Sequence, residues 1–196
     1  MIEKVILGSS SPRRKEILNF FSLPFEVAAS DFDESKEFFQ GNPHDFATTV
    51  AEKKGHALTR QFPSQVIITA DTVVYFEEKL LFKPKDEQDA RHMLKSLSGK
   101  THTVITGVGV CKGSNCFSES EATLVTFNQL TDKQIETYLQ TTHPMDKAGS
   151  YGIQEVGSLL VSHIEGSFYN VVGLPVNPLS NLLAKVGIDL WDAIGS

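Results

Sequence analysis

The sequence lacks any long hydrophobic run. Its apolar stretches are far shorter than the ~18 residues that a membrane-spanning helix needs. The apolar run near the N-terminus, Val5-Ile6-Leu7, is too short to form the core of a signal peptide. We therefore expect a cytoplasmic protein that makes no contact with a membrane.

Cysteine is scarce as well, with only Cys111 and Cys116 in the chain. No cluster of cysteine and histidine residues with metal-ligand spacing is present, which argues against a zinc or iron–sulfur site. The two cysteines flank Lys-Gly-Ser-Asn, a pattern typical of a hairpin turn between two strands. A disulfide across this hairpin is conceivable, but we expect reduced thiols because cytosolic proteins rarely hold disulfides.

Positive charge is also limited. The chain has 18 Lys and Arg residues against 24 Asp and Glu residues, which gives a net charge of -6. Nucleic-acid-binding proteins usually carry a broad basic surface, so we expect no nucleic-acid partner. An acidic protein that binds phosphates must gather its cations locally, and this chain does so at Arg13–Lys15, Lys53–Lys54, Lys83–Lys85 and Lys147.

Two familiar catalytic patterns are missing. The chain has no G-x-x-x-x-G-K-[ST] phosphate-binding loop. No Ser/His/Asp or Cys/His arrangement of a nucleophile can be read from the spacings. We interpret the isolated His102 and His143 as structural residues.

Strand and helix patterns alternate along the chain, without repeats or linkers. The predicted strands or extended segments are Val5–Leu7, Phe25–Glu37, Val66–Phe76, Thr101–Val110, Cys116–Phe127, Ser158–Ile164 and Phe168–Val172. Helices are predicted from Pro12 to about Phe21, from Pro43 or Asp45 to about Arg60, from the cap Asp86 to about Leu97, from the cap Thr131 to about Gln140, and over Pro178–Val186. The mixture predicts an α/β fold in which helices flank a mixed, twisted sheet. A chain of 196 residues suits one domain or two lobes that share a sheet, and we treat 1–196 as one domain.

The first candidate site is the segment Ser9-Ser10-Ser11-Pro12-Arg13-Arg14, which joins a predicted strand to a predicted helix. Its hydroxyls and backbone N–H groups can bind an anion, and the positive end of the helix dipole adds attraction. The two arginines place permanent charges beside it. A helix cap followed by a solvated basic turn is the alternative. The position directly after a buried strand favours a phosphate site.

A second candidate is Asp71, which follows Ile67-Ile68-Thr69-Ala70 at the end of a buried strand. The strand pattern continues through Val73 and Val74, although aspartate is disfavoured inside strands. Such misfits cluster at functional sites, where a carboxylate can bind a hard divalent cation or activate water. A capping aspartate is the alternative. The acidic loop that contains Glu34 could supply a second carboxylate if it folds over Asp71.

The third candidate segment is Asp146–Gln154. Gly149 and Gly152 permit a close backbone approach or a positive φ, and Lys147 supplies a charge. The carboxamide of Gln154 can donate and accept hydrogen bonds side by side, which matches the edge of uracil or thymine and equally that of adenine. An ordinary glycine-rich loop is the alternative.

Taken in this order and spacing, the segments resemble the Maf family, which comprises nucleoside triphosphate pyrophosphatases historically linked to septum formation. The resemblance runs from about Val5 to Leu183. It rests on Leu7–Arg14, Ala70–Val74, Lys83-Pro84, Ser98–His102, Asp146–Gln154 and Val172–Pro175.

The resemblance implies a cleft between two lobes, in which a nucleoside triphosphate is hydrolysed between its α- and β-phosphates. It also implies a divalent cation, Mg²⁺ or Mn²⁺, a cytoplasmic location and a homodimer. Arg13, Thr72 and Gln154 match the residues typical of the subfamily that acts on dTTP and UTP, rather than the sister subfamily that acts on 7-methyl-GTP. Lys54 matches the family's helix lysine, and Glu34 matches its loop glutamate.

The residues and the resemblance together define a predicted site. The catalytic set is Asp71, Lys54, Arg13 and Lys83, and the substrate-binding set is Ser9, Ser11, Arg13, Thr72, Lys147 and Gln154. Asp71 and Glu34 are the predicted metal ligands, and Asp71 could equally be the base that activates water. Arg14 receives no role. Two alternative functions stay open: the same chemistry on another or modified base, and a nucleotide-binding regulator of cell division.

Four positions depart from the family pattern. Phe82 stands where glycine is usual before Lys-Pro, and Gly55 where alanine is usual after the helix lysine. Glu155 replaces a glycine after Gln154, and His143 replaces a frequent glutamate. We expect Phe82 to affect the path of Lys83, and Glu155 to affect base preference or repel phosphate.

Overall fold

The computed structural model describes residues 4–194, so the first three and last two residues of the domain expected over 1–196 lie outside it. Within the described residues, the strands are β1 (Val5–Leu7), β2 (Phe25–Val27), β3 (Ile67–Phe76), β4 (Lys79–Leu81), β5 (Thr101–Lys112), β6 (Asn115–Phe127) and β7 (Val161–Glu165). The α-helices of the same part are α1 (Pro12–Leu18), α2 (Pro43–Thr59), α3 (Glu87–Leu97), α4 (Asp132–Thr142), α5 (Phe168–Val172) and α6 (Val176–Ala184). Across residues 4–194, no helix is long and apolar enough to cross a membrane.

The strands of residues 4–194 form one sheet of seven strands in the order β2-β1-β3-β5-β6-β7, with β4 paired to β3. β1 runs parallel to β2 and β3, and the remaining pairs are antiparallel. Helices pack on both faces of this mixed sheet, which confirms the predicted fold class.

Two apolar clusters on one face of the sheet define the two lobes. The first joins β1 to α1 and α6 and includes Ile68 and Ala70 of β3. The second packs α3 and α4 on the same strand further along, at Val74. Side chains alternate along a strand, so Thr72 faces the space between the two clusters.

The long helix α2 covers the opposite face of the sheet. It begins after Asn42, whose side chain accepts hydrogen bonds from two first-turn N–H groups, and Pro43 occupies the first turn. A Cβ on Gly107 of β5 would overlap the backbone of Ala47, and one on Gly109 would lie 3.2 Å from that of Ala51. The two glycines therefore let α2 pack directly on the sheet, close to the middle of β3.

The sequence prediction was wrong for Phe168–Val172, which forms the helix α5 rather than a strand. The Ser167 side chain accepts a hydrogen bond from the Asn170 N–H group and caps the helix. Gly173 ends it in a left-handed conformation with φ 118°. These two local signals outweigh the strand preference of the aromatic and β-branched residues between them.

Other predicted boundaries differ less. Helix α1 ends at Leu18 rather than near Phe21, and only the first three residues of the extended segment predicted from Phe25 form a strand. A 3₁₀ helix over Glu155–Leu159 delays the start of β7 until Val161.

The structure joins Cys111 and Cys116 in a disulfide, so the expectation of reduced thiols is wrong. The two residues lie directly opposite each other in the β5–β6 pair, with their Cα atoms 4.0 Å apart. Direct opposition in an antiparallel pair brings the side chains together. A Cβ on Gly55 would overlap Cys111 Sγ, so the glycine at this position makes room for the sulfur atom.

His102 lies in the aromatic core, in agreement with its interpretation as a structural histidine. It is 2% exposed, and its Nε2 lies 2.6 Å from the Tyr151 hydroxyl. The rings of Phe127 and Tyr151 pack against it edge-on. Burial lowers the pKa of His102 from 6.5 to about 4, so the imidazole is neutral in the folded protein at neutral pH.

This buried imidazole predicts a loss of stability in mild acid. The unfolded chain protonates His102 near pH 6.5, whereas the folded protein resists protonation until about pH 4. Stability is therefore complete above the first value and falls as the pH drops towards the second. We expect the free energy of unfolding in urea to fall by about 2 kcal/mol more between about pH 7 and pH 5 in the wild type than in His102→Gln. His163→Gln, at an exposed histidine, should keep the wild-type pH dependence. Equal pH dependence of the wild type and His102→Gln would contradict the assignment.

Candidate active site

Strand β3 changes its neighbour on one side part-way along its length. Ile67 and Ile68 pair with β1, whereas the residues from Val74 onwards pair with β4. Asp71 and Thr72 lie between these pairings and keep their pairing with β5 on the other side. On that side, the backbone of Asp71 lies in the interval between the β1 and β4 pairings. Its side chain points to the face that α2 covers, where Lys54 binds it, and this ion pair explains how the strand accommodates an aspartate.

Lys54 of α2 binds both predicted metal ligands. Its Nζ lies 2.8 Å from Asp71 Oδ1 and 2.8 Å from Glu34 Oε1. Lys54 is 7% exposed and Asp71 is 8% exposed. The acidic loop therefore folds over Asp71, and the two carboxylates converge on one buried ammonium group.

The environment of Glu34 favours its ionised form. Burial alone would raise the pKa of Glu34, but the charge and hydrogen bond of Lys54 oppose burial. Together with smaller effects of Lys83 and Arg14, they hold the pKa below its ordinary value. Glu34 is thus a carboxylate at neutral pH.

The serine loop after β1 lines the same cleft as these carboxylates. Ser9 is 9% exposed, and its Oγ accepts a hydrogen bond from the Ser11 N–H group at 3.2 Å. Ser11 occupies the N-cap position of α1, but its side chain makes no capping hydrogen bond. Its hydroxyl is therefore available to a ligand, which favours the phosphate-site interpretation over a simple helix cap.

Arg13 and Lys147 meet at a shared carboxylate. Arg13 donates to Asp146 Oδ2 at 3.3 Å, and Lys147 Nζ lies 2.6 Å from Asp146 Oδ1. Burial opposes ionisation of Asp146, but Lys147 and Arg13 hold its pKa below the ordinary value. This contact connects the Ser9–Arg14 segment to the Asp146–Gln154 segment, although 133 residues separate Arg13 from Asp146.

These elements enclose a cleft of about 930 Å³. All ten residues of the predicted site line it: Ser9, Ser11, Arg13, Glu34, Lys54, Asp71, Thr72, Lys83, Lys147 and Gln154. The aromatic side chains of Phe32, Phe46 and Phe82 form an apolar part of the same wall. The structure thus brings the predicted residues together, while their individual roles stay predictions.

Arg14 is a cleft residue to which sequence reasoning gave no role. Its Nε donates to the Gly173 carbonyl at 2.7 Å, and its two terminal nitrogens donate to Ser9 Oγ at 3.1 Å and to Thr72 Oγ1 at 3.0 Å. Spacing could not separate the roles of Arg13 and Arg14, because adjacent helix residues differ only in the direction of their side chains. The sequence held one weak signal of these contacts. The Val172–Pro175 segment contributes to the resemblance to the Maf family, and it contains Gly173, whose carbonyl binds Arg14.

The model of the family described as "Maf: Maf-like protein" matches residues 4–186. The chain belongs to the Maf family. Among its relatives are two proteins named dTTP/UTP pyrophosphatase, from Bacillus cereus strains AH187 and G9842. Each is 42% identical over 192 residues, which cover 98% of this chain and 100% of that protein. Among solved structures, the Staphylococcus aureus Ham1 protein matches with a TM-score of 0.49 at 11% identity, over 98% of this chain and 94% of that one.

The departures from the Maf pattern now have positions in the fold. Phe82 packs edge-on against Phe46 with ring centres 5.8 Å apart, and its carbonyl accepts a hydrogen bond from the Gly149 N–H group. It therefore ties the approach to Lys83 to the Asp146–Gln154 segment.

The other departures lie away from the cleft wall. Glu155 has a φ of 52° and is exposed, and it is not among the described residues that line the cleft. Repulsion of phosphate by Glu155, one outcome that the sequence suggested, therefore has no support in the geometry. His143 adopts a left-handed conformation where α4 ends.

Proposed function

We propose that this protein hydrolyses dTTP and UTP to the nucleoside monophosphate and pyrophosphate. One observation carries the proposal: a buried Asp71–Lys54 pair lies in a cleft that also holds the serine loop and Gln154. The names of the B. cereus relatives, which this chain matches over their full length, support the same reaction.

The cations of the cleft suit a triphosphate. Arg13, Lys54, Lys83 and Lys147 all line it, and ion pairs hold Arg13, Lys54 and Lys147 in place. Ser9 and Ser11 add hydroxyl groups to the same cleft. Preformed positive charge of this kind stabilises the charge that develops during transfer of a phosphoryl group.

Asp71 is the group that acts on water in this proposal. It orients a water molecule or takes its proton, while the water oxygen bonds to the α-phosphorus. The bond from that phosphorus to the oxygen that bridges to the β-phosphorus breaks, and pyrophosphate leaves with the electron pair. Lys54 binds Oδ1 of the carboxylate at 2.8 Å, and this ion pair fixes the position of Asp71 in the cleft.

Asp71 and Glu34 also fit a divalent cation, Mg²⁺ or Mn²⁺. Magnesium in nucleotide enzymes is commonly held by one or two carboxylates together with substrate phosphates and water. The described residues offer this pair of carboxylates at one point and no larger group of three acidic, histidine or cysteine ligands. When bound, the cation would neutralise phosphate charge. A homodimer and a cytoplasmic location remain predictions.

We predict that the preference for uracil and thymine depends on Gln154. A panel of ATP, GTP, CTP, UTP, dTTP and 7-methyl-GTP, with detection of released pyrophosphate, should give the highest kcat/KM for UTP and dTTP. In Gln154→Ala, the preference for UTP over CTP should fall by about tenfold, with a smaller loss of kcat on UTP, because a paired polar edge is replaced by an apolar one. Gln61→Ala, at an exposed position after α2, is the matched control and should keep the preference.

The same panel separates the alternatives. Highest activity on 7-methyl-GTP would assign this protein the activity of the sister subfamily. Tight binding of a nucleotide without turnover, in either metal, would favour a regulator that acts by binding.

A further inference from the structure

Behind the cleft, a buried chain of hydrogen bonds leads from Asn170 to Thr72. Asn170 of α5 and Thr106 of β5 are both 0% exposed. The Asn170 side chain accepts from the Thr106 N–H group at 3.1 Å and donates to the Val104 carbonyl at 3.0 Å. It also donates to Thr123 Oγ1 at 2.9 Å. These contacts fix α5 against the sheet.

The Thr106 hydroxyl donates its proton to a backbone carbonyl of α5. Its Oγ1 lies 2.9 Å from the backbone carbonyl oxygen of Asn170, which can only accept. A hydroxyl has one proton, so Thr106 cannot also donate to Thr72. The two threonine oxygens are 3.0 Å apart, and Thr72 must therefore be the donor in that pair.

Arg14 completes the set of partners of Thr72. A guanidinium group can only donate, so Thr72 Oγ1 accepts from Arg14 at 3.0 Å. A threonine hydroxyl offers one proton and two lone pairs. In Thr72, the proton goes to Thr106 and one lone pair is used by Arg14. One lone pair is left, and Thr72 lines the cleft with part of its surface exposed.

We infer that Thr106, Asn170 and Arg14 are positioning residues that turn Thr72 into a pure hydrogen-bond acceptor towards the bound base. This inference rests on the proposed function and concerns how the same cleft selects its substrate. A base must then present an N–H group to Thr72. The ring N3 of uracil and thymine carries such a proton, whereas N3 of cytosine is an acceptor. Two facing acceptors leave both groups unpaired, and sites of this kind discriminate strongly.

The first test uses binding without turnover. Kd values of UTP and CTP are measured by calorimetry in EDTA for the wild type, Thr106→Val and Thr106→Ser. Valine removes the acceptor for the Thr72 proton, which frees this proton to turn towards the cleft and donate to N3 of cytosine. We expect the ratio of Kd for CTP to Kd for UTP to fall by about fivefold to tenfold in Thr106→Val. The serine variant keeps the hydroxyl and should restore the wild-type ratio, which a general structural defect would not do.

The second test needs no variant and therefore does not depend on whether Thr106→Val folds. CTP is compared with 3-deazacytidine triphosphate, which has C–H in place of the ring N3 and is otherwise identical. A fixed acceptor at Thr72 repels N3, so the wild type should bind the deaza compound about fivefold more tightly than CTP. Tighter binding of CTP would show that Thr72 can donate, and would overturn the inference.

The outcomes also separate this inference from the proposed function. An unchanged ratio in Thr106→Val overturns the orienting role of Thr106, even if UTP is hydrolysed normally. Selective binding of UTP with the expected variant effects, but without release of pyrophosphate in Mg²⁺ or Mn²⁺, supports the inference and contradicts the hydrolase. Absence of UTP binding both in EDTA and with Mg²⁺ contradicts both.

Discussion

Asp71→Asn should lower the rate of pyrophosphate release from UTP by about a thousandfold at saturating substrate and Mg²⁺. Asparagine keeps the size of the side chain and removes the charge that orients or deprotonates water. It also weakens the contact with Lys54 from an ion pair to a hydrogen bond between the ammonium group and a neutral amide oxygen. The measurement is steady-state release of pyrophosphate, with the KM for UTP determined in the same assay.

Asp132→Asn is the matched control, because Asp132 is an aspartate whose side chain is 83% exposed. It should retain the wild-type rate, and thermal unfolding should show that both variants are folded. A rate near that of the wild type in Asp71→Asn would remove Asp71 from the mechanism.

The second large effect is expected at Lys54. Lys54→Met leaves Asp71 nearly buried without its counter-ion and brings its charge next to that of Glu34. Removal of one partner from a buried ion pair commonly costs about 3 kcal/mol of stability, and we expect a loss of this size in urea unfolding. Activity on UTP should fall with it, because the cation that fixes the carboxylate is lost.

Lys53 provides a control on the same helix. Its side chain is 47% exposed and pairs with Glu37, so Lys53→Met should change stability by less than about 1 kcal/mol. The double variant Lys54→Met/Asp71→Asn should recover most of the stability that Lys54→Met loses, because the unpaired charge of Asp71 is gone, but it should stay inactive. Equal losses of stability in the Lys53 and Lys54 variants would mean that the buried ion pair stabilises the fold no more than the exposed one.

The sequence could predict the elements whose signals are local. Pro43 after Asn42, Asp86 as a cap and Thr131 with Gln134 mark helix starts that the structure has within one or two residues. The same holds for the long β5–β6 hairpin, whose turn residues are explicit. The prediction from composition failed at α5, because the local signals of a serine cap and a terminal glycine outweighed the strand-like residues between them.

The site was predictable as a set of residues and unpredictable as a geometry. Lys53 and Lys54 are adjacent and chemically identical in the sequence, and only the packing of α2 on Gly107 and Gly109 decides which one meets Asp71. Arg14 also forms hydrogen bonds with Thr72 and Gly173, which lie 58 and 159 positions further along the chain. No pattern in a single sequence signals contacts over such separations. The disulfide likewise depends on the register of a hairpin rather than on composition.

The central claim is that this cleft breaks UTP between its α- and β-phosphates. Phosphorus NMR of UTP incubated with the protein and Mg²⁺ tests it directly, because each product has its own resonances. We expect UMP and pyrophosphate to appear in equal amounts, with no UDP, and Asp71→Asn to abolish both signals. Formation of UDP and inorganic phosphate, or binding of UTP with no product at all, would contradict the account.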